Sequence, residues 1–554
     1  MFLKEGLDEG QKGAVEDKYN RTFNSYYRAD YRQVPLYGKL HETFKGKKLE
    51  IKDYQLQGIG FLVNKGMGLI AHDVGLGKTI QSIIAINEML KRGWSKKPLI
   101  VVPSGNVYVQ WIKEVQEIIP DIEINGLTNL GGDFKGDLAT LEIKDGTLSV
   151  ITYEGFKKLG FKQETYNDLT SDLQDTIEAP AGLTTARAKQ AEQAKVQETI
   201  GKGIKGTLGA KTFEDLGFDL LMIDEVQNAN HIIKGAKLQE AGKASEFRGL
   251  TIRPSDFGVK AWLASQYILK NNNNRNVFLA SATPFTNNPM EYYSILSLIA
   301  RERLSKSGLK NVNEFMNTFM DISFDFEITA DGKYKERNNI KGFKNYQQFQ
   351  KILTEFIDFK DGEEVGIERP KKISVETVLK ATKKQIELMA EAQVLFSAKE
   401  RNKGGALKGV GEMRSITFSP YASQYYKGER PTYESFVNNS PKIKAVVEMI
   451  EQNHKDSKEA NQVVYSPIGV EYLPFIKDYL VKKSGFRADE VGIITGSVKG
   501  DERVAIQDRF NDGKIKVLIG SDAIAEGVNL QKKSTDLYIL ALPWNFTELK
   551  QVAA

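Results

Sequence analysis

The sequence contains no cysteine, and this absence excludes several classes of chemistry. Disulfide bonds, thiolate zinc sites, iron–sulfur clusters and cysteine nucleophiles are all ruled out. Histidine is also scarce, because only His41, His72, His231 and His454 are present and they are far apart in the chain. A metal site built from several histidines is therefore not expected.

Long apolar runs and a strong excess of one charge are missing as well. No stretch reaches the roughly 18 apolar residues that span a bilayer, and the start, "MFLKEGLDEGQKG", lacks the apolar core of a secretion signal. The formal net charge of +5 over 554 residues permits a nucleic-acid partner without demanding one, because binding depends on where Lys and Arg cluster. We expect a cytoplasmic protein without a membrane partner.

What is present indicates an α/β protein. A chain of 554 residues with 41% hydrophobic and 27% charged residues is ordinary for a soluble globular protein, and its length is typical of two or more domains. Strand-like apolar runs alternate with helical segments, which predicts parallel sheets with helices on both faces. The runs are "MGLIAH", "PLIVVP", "LSVITY", "DLLMID" and "NVFLAS" in the first half, and "QVVYSP", "EVGIITG", "KVLIGS" and "DLYILAL" near the end.

Breaks in this alternation give the predicted domain boundaries. Residues 1–48 form a basic and aromatic N-terminal extension, and residues 49–286 form a first sheet lobe. That lobe holds an insertion at about 160–215, whose Ala, Gln, Lys and Gly content is typical of an exposed helix with a flexible tail. Residues 287–440 have few strand-like runs, which predicts a largely helical protrusion or linker. Residues 441–554 form a second sheet lobe.

The stretch "LIAHDVGLGKTIQ" follows a strand and begins a helix, as triphosphate binding requires. Gly75 and Gly77 let backbone N–H groups close on phosphates, and the helix N-terminus adds positive potential. Lys78 supplies a charge for the β- and γ-phosphates, and the Thr79 hydroxyl suits magnesium. His72 stands where the strict G-x-x-x-x-G-K-[ST] pattern has glycine. The stretch predicts binding of ATP with magnesium.

The stretch "FDLLMIDEVQNANH" places two carboxylates at the carboxyl end of a strand, the edge where open α/β sheets bind ligands. Asp224 would hold magnesium through water, and Glu225 would orient or deprotonate the attacking water. Alone, an acidic loop after a core strand would be the better interpretation. The phosphate loop upstream favours the catalytic one.

A third stretch, "NVFLASATPFTNN", ends a buried strand at Ser281 and Thr283. Small hydroxyl side chains at that place can sense the catalytic carboxylates and relay the nucleotide state. By itself the run would be an ordinary turn.

Taken together, these motifs resemble helicase superfamily two, and within it the Swi/Snf-type DNA translocases. The run "YQLQGIGFL" is similar to the adenine-side signature of that family, and "AHDVGLGKT" is similar to its A-D-E-M-G-L-G-K-T. The runs "LIVVPSGNVYVQWIKEV" and "VITYEGF" resemble the next two motifs. In the second lobe, "TGSVKGDERVAIQDRFNDG", "IGSDAIAEGVNLQ" and "PWNFTELKQ" resemble the R-F-N-x-G, S-T-x-A-x-x-x-G-x-N-L and W-N-P segments. The likeness covers residues 49–300 and 440–551.

The resemblance implies an ATP-driven motor with two RecA-like lobes that moves along duplex DNA without necessarily separating it. Contacts would be made to the phosphate backbone, so binding would tolerate sequence and depend on salt. By resemblance, ATP is bound by Tyr54, Gln55, Gly75, Gly77, Lys78, Thr79, Gly527 and Asn529. Catalysis uses Lys78, Asp224, Glu225 and Gln227, and the magnesium ligands are Thr79 and Asp224. Coupling uses Ser281, Thr283, Gln531 and Gln551, and DNA contacts use Ser104, Gly105, Thr152, Tyr153, Thr495, Gly496 and Ser521.

Basic and aromatic clusters supply further candidates for DNA contact, although most such runs are simply solvated surface. They are Tyr26, Tyr27, Arg28, Tyr31, Arg32, Lys45, Lys47, Lys48, Lys157 and Lys158.

Three departures from the family pattern stand out. The carboxylate motif is Asp-Glu-Val-Gln in place of Asp-Glu-Ala-His, so Gln227 must do the coupling that histidine usually does. Ser-Ala-Thr-Pro stands where Thr-Gly-Thr-Pro is usual, and Phe546 replaces the proline after Trp-Asn. These features suggest a divergent branch of the kind found in bacteriophages and mobile elements, which would act at a bacterial or viral-host nucleoid.

The last residues predict a fragment. In the family, the Trp-Asn segment is followed by a glutamine and then by G-R-x-x-R-x-G-Q, whose arginines reach the γ-phosphate. Gln551 stands in the glutamine position, but Val552 and two alanines follow it. We expect an incomplete second lobe, fused or associated domains beyond residue 554, and slow turnover unless another arginine, Arg503 or Arg509, substitutes.

Two other functions remain open at this point. The chain could be a nucleic-acid-binding or scaffolding component of a defence, anti-defence or virion assembly with weak or absent ATPase activity. It could also be a strand-separating or RNA helicase, although the Trp544–Asn545 segment argues against that. The intact Lys78, Asp224 and Glu225 favour the motor.

Overall fold

The computed structural model divides the chain into two compact units. The first unit consists of residues up to Glu368 apart from two short stretches, and the second consists of those stretches, Gly105–Gln110 and Ile328–Lys335, together with Arg369–Ala554. The described residues are 14, 29–127, 140–176, 211–232, 238–240, 243–245, 255–285, 288–328, 334–366, 372–396, 405–498, 500–524, 528, 530, 532–544, 549 and 552.

A parallel sheet forms the centre of the first unit. Its strands are β1 (Met67–His72), β2 (Pro98–Val102), β3 (Ile124–Gly126), β4 (Leu148–Thr152), β5 (Leu220–Ile223), β6 (Val277–Ala280) and β7 (Ile357–Lys360). Across the described residues, the neighbouring strands follow the order β7-β1-β6-β5-β2-β4-β3, and every adjacent pair is parallel. Apart from the edge strands β3 and β7, the strands are mostly apolar, as expected for strands buried on both faces.

Helices connect these strands. They are α1 (Asp53–Lys65), α2 (Lys78–Lys91), α3 (Gly105–Ile118), α4 (Tyr153–Phe156), α5 (Gln163–Thr176), α6 (Phe213–Leu216), α7 (Asp256–Asn271), α8 (Met290–Ile299), α9 (Arg301–Lys306), α10 (Val312–Phe319) and α11 (Tyr346–Phe356). Helix α2 buries Ile83, Ile86 and Met89, which recur at the three-residue spacing of one helix face. Short strand pairs join Thr43–Phe44 to Lys47–Lys48, Leu238–Glu240 to Lys243–Ser245, and Met320–Ile328 to Tyr334–Phe343.

The second unit contains a smaller parallel sheet. Its strands are β8 (Gln462–Tyr465), β9 (Val491–Ile494), β10 (Val517–Gly520) and β11 (Asp536–Ile539), and their order is β9-β10-β8-β11 within the described residues. Its helices are α12 (Lys383–Ala392), α13 (Gly405–Phe418), α14 (Tyr433–Asn439), α15 (Pro441–Asp456), α16 (Leu473–Lys482) and α17 (Gly500–Asn511). Phe436, Ile443, Leu473 and Ile519 meet in one of its apolar cores.

All nine strand-like runs identified in the sequence are strands of these two sheets. The prediction of two parallel-sheet α/β lobes is confirmed, and every strand pair in both sheets is parallel.

The boundary of the first lobe at residue 286 needs correction. Strand β7, from the segment predicted to be a helical protrusion, pairs with β1 from Ile357 opposite Leu69 to Lys360 opposite His72. Helices α8, α10 and α11 also contribute buried residues to the core of the first unit. Their apolar faces are covered by this core, so most of residues 288–366 extends the first sheet unit.

Both ends of the predicted insertion at 160–215 also belong to that core. Phe161, Leu169, Phe213 and Leu216 are buried in it, because each presents an apolar side chain to the same cluster. The Ala/Gln/Lys-rich middle of the insertion lies outside the described residues.

The described part of the N-terminal extension packs against α1 and α2. The Tyr31 N–H donates to Gln57 Oε1 over 2.8 Å, and the Gly38 N–H donates to Glu88 Oε1 over 2.6 Å. Three of the basic and aromatic candidates for DNA contact have partners within the first unit. Tyr31 packs edge-on against Phe61, Arg32 pairs with Asp30, and Lys45 pairs with Glu114.

In the part of the chain that the structure describes, every helix is too short or too polar to cross a bilayer.

Candidate active site

Apart from Tyr54 and Gln55, the site residues predicted for the first lobe follow strands of the sheet, at the edge where each strand ends. The phosphate loop follows β1, Ser281 follows β6, Asp224 follows β5, and Ser104 and Thr152 lie at the ends of β2 and β4. Because β6 lies between β1 and β5, Ser281 lies between the phosphate loop and the carboxylates. The fold therefore brings the predicted groups of this lobe to one edge.

The phosphate loop has the backbone that its glycines permit. Gly75 and Gly77 have φ angles of 83° and 74°, in the left-handed region that favours glycine. A Cβ at Gly75 would meet no atom within 4 Å, so the loop is open there. Lys78 Nζ donates to the backbone oxygens of His72 over 3.1 Å and of Asp73 over 3.4 Å. These bonds hold the ammonium against the loop.

Gln55 and Tyr54, the predicted adenine-side residues, lie on the first turn of α1. Gln55 Nε2 donates to the Leu76 oxygen over 3.2 Å, so this side chain supports the phosphate loop. A Cβ at Gly77 would come within 2.5 Å of the same Nε2, which is a second reason for glycine there. The Tyr54 ring lies 6.3 Å from the His72 ring, and burial raises the pKa of its hydroxyl.

His72, which departs from the usual phosphate-loop pattern, forms a buried pair with a distant residue. Its Nε2 lies 2.9 Å from Oδ2 of Asp358, which belongs to β7, and the imidazole side chain is fully buried. Burial lowers the pKa of His72, and the hydrogen bond and charge of Asp358 oppose that shift. The pair ties the added strand β7 to the base of the phosphate loop.

This pair predicts a pH-dependent stability. Because the pKa of His72 is lower in the folded chain than the ordinary 6.5, the unfolded chain binds the proton more readily. The stability that neutral His72 supports is therefore present above the ordinary value and lost as the pH falls through the folded value. We expect urea unfolding between about pH 8 and about pH 5.5 to show a weaker pH dependence in His72→Gln than in wild type. Replacement of the exposed His41 by glutamine is the control, and equal pH dependence in all three proteins would contradict the prediction.

The Asp224 carboxylate is buried and held by two hydrogen bonds. Trp111 Nε1 donates to Oδ2 over 2.8 Å, and the Glu225 N–H donates to Oδ1 over 3.0 Å. Burial, followed by the charge of Glu225, raises the pKa of Asp224 to about 7, against the opposing effects of the Trp111 bond and the Lys78 charge. The carboxylate is thus fixed in orientation but costly to ionise without a cation.

A chain of side-chain contacts links Glu225 to the end of β6. Glu225 has a φ of 50°, in the left-handed region, and its Oε2 accepts from Gln227 Nε2 over 2.7 Å. Gln227 Oε1 in turn accepts from the Ser281 hydroxyl over 2.6 Å, and Ser281 Oγ accepts from the Thr283 N–H over 3.0 Å. The predicted coupling residues Ser281 and Thr283 are therefore linked to the predicted general base through the Gln227 amide. The coupling role itself stays a prediction.

The residues present fit a magnesium-bound triphosphate. Thr79 is partly exposed on the first turn of α2, and Asp224 and Glu225 lie side by side with the Asp224 charge disfavoured by burial. A divalent cation would relieve that cost, since bound cations reverse the local pKa preference of acidic groups. Lys78 and the open glycine loop supply the matching site for phosphate oxygens.

The residues predicted to contact DNA in this lobe differ in exposure. Ser104 is partly exposed and Gly105 is exposed, and Thr152 is partly buried with its hydroxyl accepting from the Gly155 N–H over 3.2 Å. The prediction that Tyr153 contacts DNA requires a correction. It is buried, its ring stacks on Phe257 at 3.9 Å, and its hydroxyl contacts backbone oxygens of the carboxylate motif. The aromatic ring packs into the core, so this side chain is not positioned for a phosphate.

In the second unit, the predicted DNA contacts again follow strand ends. Thr495 and Gly496 follow β9, and Ser521 follows β10. Arg503 Nη2 donates to the oxygens of Thr495 over 3.0 Å and Gly496 over 3.2 Å, so this arginine supports the loop. Arg509 Nη2 donates to the Asp489 oxygen over 2.8 Å.

Seven predicted residues lie outside the described residues: Tyr26, Tyr27, Arg28, Gly527, Asn529, Gln531 and Gln551. Two residues with direct contacts at the site were assigned no role from the sequence, Trp111 and Asp358. Trp111 had a signal, since it occupies the aromatic position of the motif after β2. Asp358 had none, because its partner His72 is far away in the chain.

Two family models match the chain. The model described as type III restriction enzyme, res subunit, matches residues 47–244, and the model described as helicase conserved C-terminal domain matches residues 441–554.

The matches to curated relatives cover only a small part of each relative's own length. The chain is 23% identical over 447 residues to defense against restriction protein B of Escherichia phage P1, which covers 71% of this chain and 19% of that protein. It is 36% identical over 89 residues to the chromatin-remodeling ATPase INO80 of Eremothecium gossypii, which covers 15% of this chain and 6% of that protein. The chain thus spans less than a fifth of either relative.

Among solved structures, the chain is similar to the Sulfolobus solfataricus SWI2/SNF2 ATPase core in complex with dsDNA. The sequence identity is 16% and the TM-score is 0.34, with 89% of this chain and 87% of that chain covered.

Proposed function

We propose that this chain, which belongs to helicase superfamily two through its res-subunit and helicase C-terminal domains, uses ATP hydrolysis to move along double-stranded DNA. The family membership implies ATP hydrolysis. Movement along duplex DNA is the finer proposal.

The observation that supports this most strongly is the arrangement at one sheet edge. The Lys78 ammonium lies on the open glycine loop that follows β1. The Asp224–Glu225 pair follows β5, which is two strands away from β1 in the sheet. Gln227 and Ser281 connect Glu225 to the strand between them, with contacts of 2.7 Å and 2.6 Å. A binding or scaffolding protein has no need for a carboxylate held in this way, whereas a motor needs the hydrolysing group connected to elements that can move.

In the proposed mechanism each group has one task. Lys78 and the glycine loop bind the β- and γ-phosphates, and Thr79 and Asp224 would hold magnesium, which would neutralise charge developing on the phosphate oxygens. Trp111 and the Glu225 N–H fix the orientation of the Asp224 carboxylate. Glu225 accepts a proton from the attacking water, and the Gln227 amide holds its carboxylate in place.

The proposed DNA contacts lie beside the ATPase groups. Ser104 and Gly105 follow β2, and Thr152 ends β4, on the side of the sheet edge away from the phosphate loop. In the second unit, Thr495 and Ser521 occupy corresponding strand ends. Hydroxyl and backbone N–H groups at such places bind phosphates without reading bases, so we infer binding that is independent of sequence.

The relatives offer support for the reaction only. Several are named chromatin-remodeling ATPases, and the phage P1 relative is named for defense against restriction. Because the chain spans a small part of each, the pathway in which it acts is not carried over from them.

The test is ATP hydrolysis with no nucleic acid, single-stranded DNA, duplex DNA and duplex RNA, followed by displacement of a triplex-forming strand from duplex DNA. We expect magnesium-dependent hydrolysis that duplex DNA stimulates most, and triplex displacement that requires ATP. Hydrolysis that no nucleic acid stimulates would refute the motor and favour a binding component with residual ATPase activity. Stimulation by RNA alone would indicate an RNA helicase.

A further inference from the structure

Two side chains outside the proposed catalytic set contact the Asp224–Glu225 pair. The indole of Trp111 donates to the Asp224 carboxylate over 2.8 Å. The hydroxyl of Tyr153 lies against the backbone oxygens of both Asp224 and Glu225, at 2.9 Å from the second. Trp111 is 1% exposed and Tyr153 is 9% exposed, so water does not compete strongly for either contact.

These side chains come from the segments that follow β2, the neighbour of β5, and β4, the next strand beyond it. The strand order is β5-β2-β4, and Trp111 lies on α3 after β2 while Tyr153 begins α4 after β4. The same two segments start with Ser104 and Thr152, the residues proposed to contact DNA. Each segment therefore has a proposed phosphate contact at its start and a side chain on the carboxylate pair further along.

The contacts fix the pair in two ways. Trp111 occupies one oxygen of the Asp224 carboxylate while the Glu225 N–H occupies the other, so the indole sets the carboxylate orientation. Tyr153 contacts the two peptide oxygens around Glu225, whose backbone has the uncommon left-handed conformation at φ 50°. Stacking of the Tyr153 ring on Phe257 at 3.9 Å keeps the hydroxyl in that place.

We propose that Trp111 and Tyr153 are positioning residues that transmit DNA contact at Ser104 and Thr152 to the Asp224–Glu225 pair, an inference that rests on the proposed DNA-stimulated ATPase. A phosphate bound at the start of either segment shifts that segment. The rigid indole or phenol passes the shift to the carboxylate or to the peptide units that hold it. DNA then stimulates hydrolysis without touching the nucleotide.

Trp111→Phe and Tyr153→Phe test this, because each removes a polar group and keeps an aromatic ring. Trp262→Phe and Tyr293→Phe are the matched controls in the same unit. Both control residues are buried, at 2% exposure each, and the Tyr293 hydroxyl also donates to a backbone oxygen, that of Lys310. The controls therefore report the cost of changing a buried Trp or Tyr away from the site.

We expect each test variant to lower the duplex-stimulated kcat about tenfold, in the range that supporting residues of a metal site typically show. KM for ATP and Kd for duplex DNA should stay within about twofold of wild type, because neither substrate touches these groups. The controls should keep wild-type stimulation. Stimulation in Trp111→Phe and Tyr153→Phe equal to that of the controls would overturn the inference.

A spectroscopic measurement gives a second test, because a purely structural role for Trp111 would not make its signal respond to DNA. The chain has four tryptophans, so labelling with 5-fluorotryptophan gives four fluorine signals, and the Trp111 and Trp262 signals are assigned from their Phe variants. We expect duplex DNA to shift the Trp111 signal and leave the Trp262 signal in place. An unmoved Trp111 signal in a sample saturated with DNA would overturn the inference.

The two readings separate this inference from the proposed function. If wild type hydrolyses ATP with no stimulation by DNA, the proposed function fails, and the fluorine signal alone decides whether Trp111 senses DNA. If wild type is stimulated and the test variants match the controls, the function stands and the inference fails.

Discussion

Replacing Lys78 with alanine is expected to lower ATP hydrolysis by about a hundredfold to a thousandfold, the usual effect of removing one preorganised electrostatic contact. Two loop carbonyls, those of His72 and Asp73, hold the ammonium at 3.1 Å and 3.4 Å, so its charge stays at the phosphate loop. Alanine removes the charge that pairs with the β- and γ-phosphates, so affinity for the nucleotide should fall too. Phosphate release and titration with a fluorescent ATP analogue measure the two effects separately.

Lys91 supplies the control for this substitution. It is exposed at the last residue of α2, the helix that Lys78 begins, so Lys91→Ala makes the same change on the same helix far from the loop. We expect it to keep wild-type hydrolysis and binding. If Lys78→Ala also kept them, Lys78 would not be the phosphate ligand, and the glycine loop would have to act through its backbone alone.

Nine of the eleven strands described in the two sheets could be predicted because they are short apolar runs between clear turns. "MGLIAH", "PLIVVP" and "DLLMID" are apolar nearly throughout, as strands buried on both faces must be. The edge at which the site lies followed from the same reasoning, since parallel strands place their carboxyl ends together. The phosphate loop and the carboxylates were therefore accessible from sequence.

Strand β7 could not be predicted in the same way. Its four residues, "IDFK", alternate apolar with charged side chains and directly follow a helix. They therefore do not form an apolar run that could be identified as a strand. What makes them a strand is pairing with β1, a contact between parts of the chain that are far apart. The His72–Asp358 pair was hidden for the same reason, and so was the true extent of the first unit.

The direction of a side chain is the other limit of sequence reasoning. Tyr153 follows a strand end beside a hydroxyl residue, which suggested a contact with DNA. The fold instead turns its ring onto Phe257 and its hydroxyl toward the carboxylate motif. Gln227 shows the opposite outcome. It stands where the resembling family has a histidine, which suggested a link to the carboxylates, and its amide lies between Glu225 and Ser281.

The proposed hydrolysis depends most on the carboxylate of Glu225. Its Oε2 accepts from Gln227 Nε2 over 2.7 Å, and an amide oxygen in its place can accept the same bond. Glutamine at this position therefore keeps the shape and the link to Ser281 while removing the group that takes a proton from water. The substitution also removes the negative charge beside Asp224 that raises the pKa of Asp224. It therefore adds no negative charge that could repel the triphosphate, and binding of magnesium and nucleotide should persist.

We therefore expect Glu225→Gln to bind ATP with wild-type affinity and to lower kcat by about a hundredfold to ten-thousandfold, the range for loss of a general base. Single-turnover hydrolysis and equilibrium nucleotide binding, each with and without duplex DNA, distinguish a lost chemical step from lost binding. Glu302→Gln is the matched control, because Glu302 is an exposed glutamate in a surface pair with Lys306. Wild-type turnover in Glu225→Gln would mean that the water is activated by another group. Loss of nucleotide binding would mean that Glu225, and not Asp224 alone, holds the metal.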